Sequence, residues 1–593
     1  MTKRIIPVII VLLILMSCSG CTKKQEAMLP PSKAYVHPLT KEEYAQAEAE
    51  IRYAISLILD RNYIVSSISQ AGEQPASSFV AMGMSDYQGE FYQNAGKNSG
   101  FYGYFNTDTS AYEENFMEAI RILQKYYDFD GRKFLNFPTI TYIYNTNNKN
   151  KATAEYVQAA LELIGIPMVL ENQEWNSYLS TRKSGAFTMA RGGWVADYTD
   201  PICFLDMWVS NSGNNDIQLG RGVHSNLAIY ALDLRPYGID IHVENGTWSE
   251  TYDVLIDQVK QCTDPQIRYK LMHLAEDMLM STGCVVPLFF YTDLYMISPR
   301  VQGFYANPLG YKYFQRTTVD GKTDALSVCL SSEPESIDPA LNSTVDGATL
   351  LAHLFSGLAK WDTDERGKLI IKADCAEALP EGTMNPDGSI TYTYHLKENL
   401  KWSDSAPLTA NDFVYAWKRA AATELGSDYG YLFEVIRGYP DNLEVAALDD
   451  RTLQVTLETP VPYWHEMLAF PVYSPVRQDV VGDESWATDA KTYIGNGAYT
   501  IQSWNHDAVI TLVKNENYHD AAQVKMKTLH FYLSNDANNM LTNFRNGDWL
   551  MIDDVPANEI QSLKVNYPES FRISGQIGTN YLCFNVNTPL LPQ

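Results

Sequence analysis

Apolar residues recur at helical spacing in a long segment near the start of the chain. Five of them fall on one face of the segment that follows Thr40: Tyr44, Ile51, Ala54, Ile55 and Ile58. Thr40 and Glu43 have the spacing of a capping box, in which each side chain accepts a hydrogen bond from the other residue's backbone N–H. The pattern predicts an amphipathic helix over residues 40–59.

Strand-like and helix-like patterns then alternate. Residues 138–144 and 167–170 are rich in β-branched, aromatic and other apolar side chains, and residues 151–164 between them have helical character. Strand, helix and strand at this spacing predict a βαβ unit with a parallel strand pair. We also predict a short strand over 186–190, strands over 325–330 and 390–396, and a helix over 408–419 with Thr409 as its N-cap.

The first residues have the pattern of an export signal. Lys3 and Arg4 precede an apolar run over residues 5–16, which is shorter than the roughly 20 residues of a membrane-spanning helix. Leu15-Met-Ser-Cys18 resembles a lipobox, and Cys21 is a second candidate for lipidation. We therefore expect a lipoprotein signal peptide over 1–17, lipidation at Cys18, and a flexible tether over 18–39.

Length and charge narrow the class of protein. A chain of 593 residues is longer than one hydrophobic core usually organises, so two or three lobes are expected. The net charge of −26 argues against a nucleic-acid partner. The six cysteines beyond residue 21 show no metal-ligand spacing, so we expect no metal site. One disulfide bond among them is an alternative to six free thiols.

Several motifs carry a family resemblance. Residues 192–201 read Gly-Gly-Trp-Val-Ala-Asp-Tyr-Thr-Asp-Pro, and 331–339 read Ser-Ser-Glu-Pro-Glu-Ser-Ile-Asp-Pro. Residues 409–417, 494–499 and 514–518 add Thr-Ala-Asn-Asp-Phe-Val-Tyr-Ala-Trp, Ile-Gly-Asn-Gly-Ala-Tyr and Lys-Asn-Glu-Asn-Tyr. Together they resemble the oligopeptide-binding lipoproteins of ABC importers, the extracellular solute-binding proteins of family 5.

The order of these motifs is reversed relative to that family, so the chain resembles a circular permutation of it. The resemblance implies an α/β, multi-lobe periplasmic-binding-protein-like fold of type II, in the large peptide-binding class. Two main lobes and a smaller third would close about a hinge. We expect a large lobe over 40–292, a lobe formed by 293–345 and 475–593 that holds the family's original termini, and a smaller lobe over 346–474.

The resemblance also implies where a peptide would bind. A receptor for peptides of varied sequence must recognise the backbone, the ammonium group and the carboxylate that all peptides share. Asp197 is the expected partner of the ammonium group, with Trp194 as a wall of the cleft and Gly193 allowing close backbone approach. The remaining candidates are charged or aromatic residues that would face the ligand or its carboxyl end: Arg191, Trp175, Arg182 and Glu333.

Enzyme signatures are weak. Ser180-Thr-Arg-Lys183 fits the Ser-x-x-Lys pattern of penicillin-recognising enzymes, but the chain contains neither Lys-Thr-Gly nor Ser-Asp-Asn. Neither Gly-x-Ser-x-Gly nor a phosphate-binding P-loop occurs. We therefore expect no catalytic residue and no cofactor, with a penicillin-recognising serine enzyme as a remote alternative.

The leading hypothesis is a monomeric, lipid-anchored receptor that captures oligopeptides and delivers them to the permease and ATPase subunits of an ABC importer. It would lie at the outer face of the cytoplasmic membrane or in the periplasm. A surface sensor of signalling or cell-wall peptides, without transport, is the main alternative, and a rearranged gene with poorly folding halves is another. The resemblance implies that the chain passes between the two main lobes at two places. We expect the passage near residues 289–292 to be kept here, and the passage that would join Asn587 to Thr40 to be broken by the permuted order.

Overall fold

The computed structural model describes residues 29–34, 38–96, 100–222, 228–334, 336–365, 368–482 and 484–591. The predicted signal peptide, Cys18 and most of the predicted tether lie outside these residues. Within the described ranges, no helix combines the length and the apolar character that crossing a membrane requires.

A mixed sheet of eleven strands organises the described residues. Ten strands follow one another across it in the order Tyr499–Asn505, Val509–Lys514, Thr528–Leu533, Ala325–Leu330, Met551–Ile552, Val285–Ile297, Phe571–Phe584, Met189–Val195, Ile140–Asn145 and Met168–Gln173. The short strand Gln74–Pro75 pairs beside this path with Val285–Ile297. The mixed α/β architecture agrees with the predicted fold class.

Two long strands connect the halves of this sheet. Val285–Ile297 and Phe571–Phe584 pair with each other, and we call them the crossing strands. Val285–Ile297 also pairs with Met551–Ile552, and Phe571–Phe584 also pairs with Met189–Val195. Their register shifts between positions 575 and 579, where residues 576–578 bulge. The chain is unbroken along both crossing strands. The break in chain order that we expected between Asn587 and Thr40 therefore lies outside these strands.

The helices of eight or more residues lie on both sides of the crossing strands. Their bounds are Lys41–Ile58, Tyr112–Leu123, Asn148–Leu163, Trp175–Ser184, Trp248–Gln261, Pro265–Ser281, Val345–Leu354, Ala410–Ala421 and Ala537–Asn546. Shorter α-helical segments are Arg61–Tyr63, Trp464–Met467 and Ile560–Asn566.

Smaller sheets complete the fold. A four-stranded sheet contains Thr383–Met384, Ile390–His395, Thr452–Leu457 and Val445–Asp449, in that order. The two-stranded pairs are Asp128–Phe129 with Phe134–Leu135, Ala228–Asp233 with His242–Thr247, Val301–Gln302 with Thr318–Val319, Tyr305–Ala306 with Lys312–Tyr313, and Ala359–Thr363 with Leu369–Ala373.

Several local predictions are confirmed. The first helix runs over Lys41–Ile58 behind a capping box made by Thr40 and Glu43. The βαβ unit forms with Ile140–Asn145 and Met168–Gln173 as a parallel pair. Thr409 caps the helix Ala410–Ala421 together with Asp412.

Other boundaries differ from the predictions. The strand expected over 186–190 instead spans Met189–Val195, because its pairing with Phe571–Phe584 continues through Gly192 and Gly193. The strand Phe571–Phe584, within the range expected for the lobe 475–593, pairs with Met189–Val195, within the range expected for the large lobe. Beyond that strand, the backbone N–H groups of Leu590 and Leu591 donate to Glu48 Oε1 at 2.9 and 2.5 Å.

Candidate functional site

A cavity of about 430 Å³ lies where the sheet changes from one half to the other. The large lobe lines it with Asn147, Lys149, Trp175, Arg191, Gly193, Trp194 and Asp197. The crossing strands contribute Tyr291, Thr292, Asp293, Gln576 and Asn580. The remaining wall includes Tyr311, Lys312, Ser332, Asp346, Tyr429, Phe470, Asp553 and Asp554. A cavity of this size, built by several elements, is typical of a small-ligand site.

Asp197 is a buried carboxylate at the wall of this cavity. It follows the central strand Met189–Val195, and only 7% of its surface is exposed. Tyr429 Oη donates to Asp197 Oδ1 at 3.3 Å, whereas Oδ2 has no hydrogen-bond partner among the described residues. Burial, followed by the nearby charge of Asp206, raises the pKa of Asp197 well above its ordinary value. A cation placed at Oδ2 would relieve both the burial of the charge and the missing hydrogen bond.

Trp194 forms the wall beside Asp197. Its indole Nε1 donates to the carbonyl oxygen of Cys203 at 2.9 Å, which fixes the orientation of the ring. The ring centroid lies 6.1 Å from that of Tyr429, which reaches the cavity from the opposite side. Two aromatic side chains from distant segments of the chain, Trp194 and Tyr429, therefore pack near Asp197.

Arg191 and Gly193 are two residues apart in the strand Met189–Val195, so they lie on the same face of the sheet. Its Nη2 donates to Tyr291 Oη at 2.7 Å, and Asn580 Nδ2 donates to the same oxygen at 3.1 Å. A Cβ atom at Gly193 would clash with Tyr291 Oη, so a side chain there would displace the tyrosine. Gly193 thus allows the contact that positions Arg191 against a crossing strand.

The other predicted site residues separate into two groups. Trp175 is half-buried at the cavity wall, and its Nε1 has no hydrogen-bond partner among the described residues. Arg182 and Glu333 do not line the cavity. Arg182 instead forms a buried ion pair with Asp216, and Glu333 Oε1 accepts hydrogen bonds from Trp504 Nε1 at 2.8 Å and His506 Nδ1 at 2.6 Å. Both side chains have protein partners in this structure, and their roles toward a ligand stay predictions.

Ion pairs and aromatic contacts connect segments that are distant in the chain. Lys183 Nζ lies 2.7 Å from Asp428 Oδ2, and Lys260 Nζ lies 3.0 Å from Glu434 Oε2. The rings of Tyr198 and Tyr463 stack with centroids 4.8 Å apart. At another part of the rim, Lys149 Nζ and Asp554 Oδ1 are 2.7 Å apart. These ion pairs and aromatic contacts join residues of the segment 149–260 to residues of the segment 428–554.

The Ser-x-x-Lys segment lies on the helix Trp175–Ser184. Ser180 is exposed there, while the Lys183 ammonium group pairs with Asp428. Because that ammonium group is engaged across the lobes, the geometry does not support a serine nucleophile activated by this lysine.

One cluster among the described residues has the ligand types of a metal site, namely Asp374, His519 and Asp520. Lys360 Nζ lies 2.9 Å from Asp374 Oδ1 and 3.1 Å from Asp520 Oδ2. The ammonium group thus supplies the positive charge that these carboxylates need. The six described cysteines are free thiols: Cys203, Cys262, Cys284, Cys329, Cys375 and Cys583.

The sequence profile of the bacterial extracellular solute-binding proteins, family 5, matches residues 31–216 and 372–592, which is more than half of the chain. The chain belongs to this family. OppA, an oligopeptide-binding protein of Bacillus subtilis, is 32% identical over 41% of this chain and 46% of its own length. The probable deoxycholate-binding protein YgiS of Escherichia coli is 32% identical over 44% of this chain and 49% of its own length.

A solved structure of Listeria monocytogenes OppA bound to peptide is 29% identical and covers 39% of this chain and 46% of that chain, with a TM-score of 0.35. The chain spans about half the length of the curated relatives that it matches.

In this family-5 protein, sequence reasoning missed cavity residues that come from distant segments of the chain. Tyr429, Tyr291, Lys312 and Asp553 all line the cavity, but none belongs to the motif that contains Asp197. Tyr291 lies in the aromatic segment 289–292, which the sequence marks as a crossing. Tyr429 and Asp553 stand in segments without a comparable signal, so only the fold brings them to Asp197.

Proposed function

We propose that this family-5 solute-binding protein is an extracytoplasmic receptor that captures oligopeptides between its lobes and delivers them to an ABC importer. The observation that carries the proposal is Asp197, which lines the cavity and whose Oδ2 atom has no hydrogen-bond partner among the described residues. The ammonium group at the start of a peptide has the charge and the N–H donors that this oxygen lacks.

The mechanism is hinge closure about the crossing strands. The bulge at residues 576–578 gives a natural point of bending, and the cavity lies beside it. A ligand that contacts both lobes favours the closed form, since those contacts exist only there. Arg191 and Trp175 are the proposed neighbours of the ligand on the large lobe, and Trp194 and Gly193 shape the wall next to its amino end.

Charge supports a peptide over an anionic ligand. The cavity lining contains three cationic side chains and six carboxylates among the described residues. One relative is named for deoxycholate, whose carboxylate would add to this excess of negative charge. A peptide instead brings an ammonium group to Asp197, so an oligopeptide, as in the name of the Bacillus relative, fits the site better.

Several features of the proposal concern the whole protein. We propose lipid anchoring at Cys18, a location at the cell envelope, a monomeric state, partners in an ABC permease and ATPase, and no enzymatic activity. The permuted order is also a proposal. The packing of Leu590 and Leu591 against Glu48 supports it, because it brings residues from the two regions that the family order would connect into direct contact.

Mass spectrometry of whatever the purified protein releases on denaturation tests the proposed function. The expected result is a set of short peptides with free amino ends and varied sequence. Recovery of a bile acid or another non-peptide solute as the main ligand would overturn it.

A further inference from the structure

Three carboxylates share one lysine at the part of the cavity wall next to the crossing strands. Lys312 Nζ lies 2.8 Å from Asp553 Oδ1 and 3.1 Å from Asp293 Oδ1. The third carboxylate, Asp346, accepts hydrogen bonds from the backbone N–H and the hydroxyl group of Ser332 at 3.0 and 3.2 Å. All four charged side chains line the cavity.

One ammonium group does not satisfy this cluster. The Asp293 side chain is 7% exposed, and its Oδ2 atom has no hydrogen-bond partner among the described residues. Burial and the neighbouring carboxylates Asp346 and Asp293 raise the pKa of Asp553 to about 7, even though Lys312 opposes the shift. Burial also raises the pKa of Asp346. Lys312 therefore leaves one buried oxygen of the cluster, Asp293 Oδ2, without a hydrogen-bond donor among the described residues.

The rest of the lining does not supply the missing cation. Lys149 pairs with Asp554, and Arg191 donates to Tyr291. Asp197 Oδ2 and Asp293 Oδ2 are thus two buried carboxylate oxygens without a hydrogen-bond partner among the described residues, and both belong to residues that line the cavity.

We propose that Asp293, Asp346 and Asp553 form a second cation subsite, which binds the basic side chain of a peptide whose amino end is held by Asp197. This inference rests on the proposed function and narrows it, since it names peptides that contain lysine or arginine as the preferred ligands. A lysine ammonium group or an arginine guanidinium group donates several hydrogen bonds, as Asp293 Oδ2 and its neighbours require.

The competing explanation is purely structural. Lys312 and a proton shared between Asp346 and Asp553 would then satisfy the cluster, and the ligand would pass it without contact. The two explanations differ in whether a basic side chain improves binding and whether that improvement depends on these aspartates.

Isothermal titration calorimetry of the full protein distinguishes them. The probes are Ala-Lys-Ala, Ala-Ala-Lys and the same peptides with norleucine, which has a similar length without the charge, in place of lysine. We expect at least one lysine peptide to bind about tenfold tighter than its norleucine match. In Asp293→Asn, the ratio of the affinities for the lysine and norleucine peptides falls to about one. Asp346→Asn is a second variant with the same expected result, for use if the first does not fold. Asp548→Asn removes an exposed aspartate outside the cavity, and the ratio stays as in the wild type.

Equal affinity for lysine and norleucine peptides in the wild type would overturn the subsite while the proposed function stands. A lysine preference that persists in both folded variants would overturn the assignment to these aspartates. If none of the four peptides binds the wild type, the proposed function fails and the subsite with it.

Discussion

The ion pair between Lys260 and Glu434 gives a direct test of closure. Lys260 stands near the end of the helix Trp248–Gln261 in the large lobe, whereas Glu434 belongs to the segment 346–474 opposite. Lys260 Nζ also lies 4.0 Å from Asp206 Oδ2, and the Lys260 side chain is 11% exposed. Replacing Lys260 with methionine keeps most of the aliphatic chain and removes the charge.

The expected loss follows from what the charge leaves behind. Without Lys260, the buried Asp206 and the partly buried Glu434 face each other in the closed form. Removing one partner of a buried charge pair costs about 2–5 kcal/mol. Because Glu434 is 25% exposed, solvent screens part of this cost, so we take the lower end. A loss of about 2 kcal/mol weakens binding of any ligand that requires closure roughly thirtyfold.

Calorimetry with a short peptide measures this change, and small-angle X-ray scattering of the same samples reports whether the lobes close. A double-mutant cycle with Glu434→Gln isolates the pair, and the coupling between the two positions should be clearly favourable. Lys418→Met serves as the control because Lys418 is exposed on the helix Ala410–Ala421. If folded Lys260→Met closes and binds peptide as the wild type does, the ion pair plays no part in closure and the reasoning is refuted.

Two further predictions concern buried groups. Glu276 is fully buried, accepts hydrogen bonds from the backbone N–H groups of Phe79 and Val80, and has a pKa raised by burial to about 8. Since the folded form holds this proton more tightly than the unfolded form, the contribution of Glu276 to stability is lost as pH rises from about 4.5 to about 8, by up to about 1.4 kcal/mol per pH unit. Urea unfolding across this window should show a flatter pH dependence for Glu276→Gln, and an unchanged slope would contradict the assignment. Gly193→Ala should displace Tyr291 and lower peptide affinity about tenfold, on the scale of one lost hydrogen bond to a charged group. Gly482→Ala, outside the cavity and the crossing strands, where a Cβ atom meets nothing within 4 Å, should bind normally, and equal affinity of the two variants would count against the role given to Gly193.

Local structure followed closely from the sequence because its causes are local. The capping box at Thr40 and the βαβ unit depend on side chains a few residues apart, and both formed as predicted. Asp197, Trp194, Gly193, Arg191 and Trp175 line one cavity, as the family resemblance implied, although their roles toward a ligand stay predictions.

The contacts that the sequence did not predict share a physical cause, which is pairing over long separations in the chain. Arg182 and Glu333 have charges that suit a ligand, but each meets a partner that the sequence does not reveal, Asp216 in one case and Trp504 with His506 in the other. The cluster around Lys312 escaped notice for the same reason. Its members come from four separate segments of the chain, and only the sheet and its crossing strands bring them together.

The most direct test of the account is calorimetry with one short peptide that binds the wild type, in its free-amine and N-acetylated forms, on the wild type and on Asp197→Asn. If Asp197 holds the ammonium group, acetylation weakens binding to the wild type by at least about thirtyfold, corresponding to about 2 kcal/mol or more for a buried charge pair. The same acetylation has little further effect on the variant, which already binds the free peptide weakly. Equal affinity of the two peptide forms for the wild type would contradict the central claim.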